Sequence, residues 1–168
     1  MAPGDSRRIC INLYTAGYEG LSLNAFIARL KQAGIDKVLD VREYPLSRKK
    51  GFSNNAFAQC LAAEGIAYEH SRALGCPKPI RKQYKEDGDW AAYACGFRAY
   101  IRTQGTVLKA LVCSTADQRI CMVCYEADAA FCHRSLIAEA AQGLDSSLQT
   151  QHLPLRTEPF ADRLLSVA

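Results

Sequence analysis

The stretch from Cys124 to Ser135, CYEADAAFCHRS, gathers most of the side chains in this sequence that can do chemistry. It holds two thiols (Cys124 and Cys132), a carboxylate (Glu126), and an adjacent imidazole and guanidinium (His133 and Arg134). By the patterning given below, a strand ends near Cys124 and a helix begins near Cys132. A helix amino end has free N–H groups and a partial positive charge, which bind anions and lower the pKa of a nearby thiol. Cys132 or Cys124 is therefore a candidate nucleophile, and Glu126 a candidate general acid or base. The competing reading is packing, because cysteine is often a small buried residue. Cys10, Cys60, Cys95 and Cys113 fall inside expected strands or helices and read as core.

Other candidates lie upstream. His70 is a second possible acid or base. Arg42, Arg48 and Arg134 suit anionic groups, since guanidinium forks match phosphate geometry. Tyr14 or Tyr18 could stack on a base. For Arg42 the structural alternative is an ion pair, with Glu126 as its expected partner. Asp40 reads as an anchor for the loop that follows it.

The elements that must position these groups follow from periodicity. Strands are expected at about 8–14, 37–41, 66–70, 119–125 and 148–153. Helices are expected at about 23–33, 54–64, 89–103, 106–115 and 132–143. Ser22, Ser53, Asp89 and Thr106 are N-cap candidates, and Gly34 and Gly65 close the first two helices. Trp90, Tyr93, Phe97 and Tyr100 form a core-facing stripe. Residues 71–88, with Pro77 and Pro79, read as irregular and basic. The alternation predicts a three-layer α/β fold: a mostly parallel five-stranded sheet with helices on both faces. Ligands bind outside the carboxyl ends of such strands. Tyr18, Arg42, Arg48, His70, Cys124, Glu126, Cys132, His133 and Arg134 all fall at or near that edge. His70 and His152 end strands, and His133, the third histidine, follows the fourth strand's loop.

Composition narrows the class. The 168 residues are expected to form a single domain over 1–168, with a tail at 154–168. With 49% hydrophobic residues, disorder is not expected. Eight cysteines are too few for a disulfide scaffold. The opening MAPGDSRRICINLY lacks an apolar stretch long enough for a signal peptide. No run approaches a membrane span. A cytoplasmic protein with reduced thiols is expected. The net charge of +4 is mild. It is bunched, however, at Arg42, Arg48, Lys49 and Lys50, and again at Lys78, Arg81, Lys82 and Lys85. These are either solvated loops or an anion-facing rim.

The chain resembles the family catalogued as domain of unknown function 488. The matching stretches are YTAGYEG at 14–20, DVREYPLSR at 40–48 followed by Gly51-Phe52, GIAYEH at 65–70 followed by Leu74-Gly75, and the 124–135 segment. They cover about 8–153. The resemblance implies an α/β domain that shares Tyr18, Arg42, Arg48, His70, Cys124, Glu126, Cys132, His133 and Arg134. It carries no settled activity, and the cofactor is unknown. Cys76 and Cys121 read as particular to this chain, and Ala16 stands where a branched residue is expected.

The residues point first to an enzyme acting on a phosphate-bearing or nucleic-acid-derived substrate. An anionic small molecule or nucleic acid is then the expected partner, with no membrane. One alternative is a nucleic-acid-binding module without catalysis. Another is a zinc site, either at Cys121, Cys124, Cys132 and His133, although strand alternation puts Cys121 and Cys124 on opposite faces, or at Cys124, Cys132, His70 and Glu126 brought together by the fold. A third is a rhodanese-like sulfur carrier, to which DVRE at 40–43 is similar. There Arg134 follows Cys132 by two residues rather than the usual five. A site role predicts that Arg134→Ala and Cys132→Ser melt near wild type.

Overall fold

The computed structural model describes residues 11–154. Cys10, the first three residues of the expected first strand, and the tail from residue 155 lie outside the described residues.

Among the described residues, five strands form one parallel sheet: β1 Ile11–Gly17, β2 Lys37–Asp40, β3 Ala67–His70, β4 Ile120–Cys124 and β5 Leu148–His152. Their order is β3-β2-β4-β1-β5. Every pairing is parallel. Six helices among these residues cover it: α1 Leu23–Gln32, α2 Asn54–Ala63, α3 Lys78–Asp87, α4 Trp90–Arg102, α5 Gly105–Ser114 and α6 His133–Leu144.

The layers follow from strand alternation. Tyr14, Ala16, Val38, Cys121 and Val123 face Phe26, Ile27 and Leu30 of α1, and Phe57 and Leu61 of α2. Leu13, Leu39, Ile120, Met122 and Cys124 face the opposite layer of α4, α5 and α6, which contributes Tyr93, Phe97, Leu108, Leu111, Leu136 and Ile137. Cys121 and Cys124 therefore do occupy opposite faces. Fully burying a side chain such as Leu13 or Leu30 stabilises the fold by about 1.5–3 kcal/mol.

Local signals set most boundaries. Ser22 Oγ accepts from the Ala25 amide at 3.2 Å. Asp89 Oδ1 accepts from the Ala92 amide at 3.0 Å. Ser53 precedes α2 but makes no such cap. Instead its hydroxyl bonds the backbone of Ser47 and folds the 42–50 loop back on itself. Two expectations are corrected. Thr106 does not cap α5, which starts one residue earlier after Gln104. Residues 71–88 are not irregular, because they contain a 3-10 turn at Arg72–Leu74 and then α3. Pro77 and Pro79 sit at the start of α3, where a missing N–H costs nothing, and Gly88 closes it in the left-handed conformation.

The cysteine reading is also corrected. Cys95 and Cys113 are exposed and Cys60 is half-buried, whereas Cys76 and Cys121 are core. Cys95 lies two residues past Tyr93, and Cys113 two past Leu111. That is about 200° around a helix from the buried stripe.

The topology creates a crevice. The chain leaves β1 and β2 for the face that holds α1 and α2, but leaves β4 for the face that holds α6. The loops after β4 thus diverge from those of both its neighbours, which is the switch point where parallel sheets bind ligands.

Candidate active site at the carboxyl edge of the sheet

Cys124 is the last residue of β4, and Cys132 stands immediately before α6. The segment between them brings the two sulfurs to 2.8 Å. Cys132 Sγ is 3.4 Å from Glu126 Oε2 and 3.6 Å from His133 Nδ1. The far ring nitrogen of His133 is 2.7 Å from the Val41 carbonyl, and the ring meets Phe97 edge-on.

Arg134 lies beneath this group, 2% exposed. It donates to Cys124 Sγ at 2.8 Å, to Thr15 Oγ1 at 3.2 Å, and to the carbonyls of Glu126 and Ala127 at 2.5 and 3.0 Å. The expected anion binder is therefore a corrected assignment. Its donors face protein acceptors, and it positions the 125–131 loop. Thr15 passes the network on to His152 Nδ1 at 2.6 Å. Burial, and then the Arg134 charge, lower the His152 pKa.

Gly17 makes this approach possible. A Cβ there would sit 1.7 Å from the Glu126 carbonyl oxygen and 3.0 Å from Arg134 Nη1. Gly17→Ala is expected to cost about 1–3 kcal/mol by overpacking against backbone and to displace the Glu126 loop. Chemical denaturation and the amide spectrum of residues 125–131 would check this. An unchanged midpoint would contradict the geometry.

The second buried pair joins Asp40 and Arg42. Arg42 Nε and Nη2 reach the two Asp40 oxygens at 2.8 and 2.6 Å, and Nη1 reaches the Tyr18 hydroxyl at 3.0 Å. The expected partner Glu126 is replaced by Asp40, which also accepts from the Arg42 amide and the Tyr68 hydroxyl. Asp40 is indeed a loop anchor. Although burial opposes the charge, Asp40 holds Arg42 protonated beyond the ordinary arginine range. His70 places Nε2 2.8 Å from the Arg42 carbonyl, so it supports this loop and does not line the cavity. Tyr14 bonds Arg119 at the opposite edge of the sheet, away from the site.

Above the sulfurs opens a cavity of about 930 Å³. Its floor includes Cys124, Glu126, His133, Tyr93 and Cys76, and its walls include Tyr18 and Arg42. Arg48, Lys49 and Lys85 stand around it, so the 42–50 loop and α3 bring both basic stretches to one mouth. Glu43 is already paired with Arg81 at 2.5 Å. Tyr44, Leu46, Tyr125 and Phe131 line the same cavity and are 48–74% exposed. Tyr93, Cys76, Glu43, Tyr125 and Phe131 line the cavity and were not among the expected site groups, whereas Arg81 belongs to the basic stretch read as a possible rim. Tyr125 and Phe131 lie within the 124–135 segment and were legible there as aromatics.

Desolvation raises the Glu126 pKa, but its own backbone amide and the Cys124 and Cys132 thiols outweigh this and hold it below the usual range. Burial, then Cys132 and Glu126, push the Cys124 thiol well above its ordinary value, with Arg134 opposing. Burial pushes Cys76 up to about 11 and Cys121 upward, and burial with Cys76 raises Tyr93. These groups fold neutral. Their stability is present below about pH 9, the unfolded thiol value, and is lost as pH rises through the folded values. The melting temperature should therefore fall from about pH 9 to about pH 11, and less steeply in Cys76→Ala. A flat profile would contradict the burial of these thiols.

Cys124, Glu126 and Cys132 place their ligand atoms within 4.8 Å of one another, a possible metal set. Neither His70 nor Cys121 joins it, and the Arg134 guanidinium already contacts one sulfur.

Residues 22–141 match the family described as Domain of unknown function DUF488. The chain belongs to this family. The match includes β2 and the whole Cys124–Arg134 constellation, while Tyr18 lies just before it. No curated protein and no solved structure matches the chain significantly. Among the described residues of this DUF488 chain, no helix is long and apolar enough to cross a membrane.

Proposed function

We propose that the protein is an enzyme acting on a phosphate-bearing, nucleic-acid-derived substrate held in this cavity. One observation carries the reading: exposed cations and exposed aromatics share one mouth above a thiol–carboxylate floor. Arg48 and Lys85 are exposed, and among the described residues neither forms an ion pair. They would hold phosphates, with Lys49 beside them. Tyr125, Phe131 and Tyr44 would stack on bases. Cys124 lines the cavity and would be the attacking sulfur, with Cys132 behind it. Glu126, held ionised, would take the proton. Arg42, His70, His133 and Arg134 would position the loops that carry these groups.

A nucleic-acid-binding module without chemistry draws on the same mouth. One experiment separates the two. Short single-stranded RNA and DNA and nucleoside monophosphates are tested for binding by anisotropy or thermal shift, and for covalent change by mass spectrometry. The proposal expects conversion of one probe class, lost in Cys124→Ser and Glu126→Gln while binding persists. Binding with no conversion favours the module. No binding of any phosphate-bearing probe contradicts both.

A further inference from the structure

We infer that Cys124 and Cys132 form a dithiol–disulfide redox centre that exchanges with low-molecular-weight disulfides entering the cavity. The inference does not rest on the substrate reading above. Where both hold, oxidation removes the attacking sulfur.

Three observations carry it. First, the two sulfurs are in contact at 2.8 Å. Second, the segment between them is held at several points, so the pair is preorganised. Arg134 holds the carbonyls of 126 and 127, Glu19 accepts from the Ala127 amide, and Asp128 caps the Ala129–Phe131 turn. Third, the partners suit exchange. Arg134 Nη1 sits on Cys124 Sγ, where its charge opposes the cost that burial sets on ionising that thiol, and Glu126 Oε2 is placed to take the Cys132 proton.

The steps balance. The Cys124 thiol loses its proton to water in the cavity, and its thiolate attacks one sulfur of the incoming disulfide. One S–S bond breaks, and a thiolate leaves and is protonated. Cys132 then gives its proton to Glu126 and attacks Cys124 Sγ in the mixed disulfide. The second small thiolate leaves with the proton from Glu126. Two protein thiols are oxidised, and one small disulfide is reduced to two thiols.

A shared zinc ion fits less well, because the Arg134 guanidinium occupies the flank of Cys124 Sγ, where it would face the cation.

The test uses the full chain. Reduced protein is incubated with oxidised glutathione without air, quenched in acid, and mapped by non-reducing peptide mass spectrometry. Wild type is expected to accumulate a Cys124–Cys132 cross-linked peptide that dithiothreitol reverses. Cys132→Ser is expected to trap glutathione on Cys124. If that variant does not fold, the wild-type map decides alone. Three results would overturn the inference: free Cys124 and Cys132 while exposed Cys95 and Cys113 react, a lasting glutathione adduct on wild-type Cys124, or stoichiometric zinc in the purified protein.

Discussion

Arg134→Ala is expected to lower the unfolding free energy by about 3–5 kcal/mol. The guanidinium is 2% exposed and serves Cys124, Thr15 and two backbone carbonyls. Truncation removes the donors of the part-buried Glu126 and Ala127 carbonyls and the cation beside buried Cys124, leaves Thr15 with His152 alone, and opens a cavity. Each unmade buried hydrogen bond costs about 1–3 kcal/mol. For a chain of this size the melting temperature should fall by roughly 10 °C. Lysine should recover only part of this loss, because an ammonium cannot reproduce the fork that reaches four acceptors. The sequence reading expected a wild-type melting temperature. The burial reverses that expectation and makes Arg134 a positioning residue. Thermal and urea melts of both variants decide, and a loss under about 1 kcal/mol for alanine would contradict this account.

Asp40→Ala should be comparably severe, again about 3–5 kcal/mol. Asp40 is fully buried and Arg42 is 8% exposed, so the substitution leaves a cation without its counter-charge. The cost falls on the loop as well, since Asp40 holds the Arg42 amide and the Tyr68 hydroxyl. A double variant, Asp40→Ala with Arg42→Met, should regain much of the loss, because both charges then leave the interior together. Urea unfolding of the single and double variants gives the coupling. Additive losses would contradict a direct pair.

Much of the frame was legible because it depends on near neighbours in sequence. Ser22 and Asp89 cap their helices through bonds three residues long. Alternation along β4 separates Cys121 from Cys124. The collection of polar groups at one sheet edge followed from parallel topology alone. What escaped depends on distance or on spare capacity. Prolines in 71–88 read as breakers, although the first turn of α3 tolerates them. Arg42 takes a partner two residues away, whereas the sequence reading named Glu126. Whether Arg134 faced a ligand or the protein turned on a close approach at Gly17, which spacing does not reveal.

The most direct measurement of the central claim is the salt dependence of single-stranded oligonucleotide binding, compared between wild type and Arg48→Ala/Lys85→Ala. Both side chains are exposed at the cavity mouth, so their removal should leave folding within about 0.5 kcal/mol. The account predicts weaker binding in the double variant and a log–log salt slope shallower by about one per residue removed. Equal affinity and equal slope in the two proteins would show that this mouth is not where the phosphates bind.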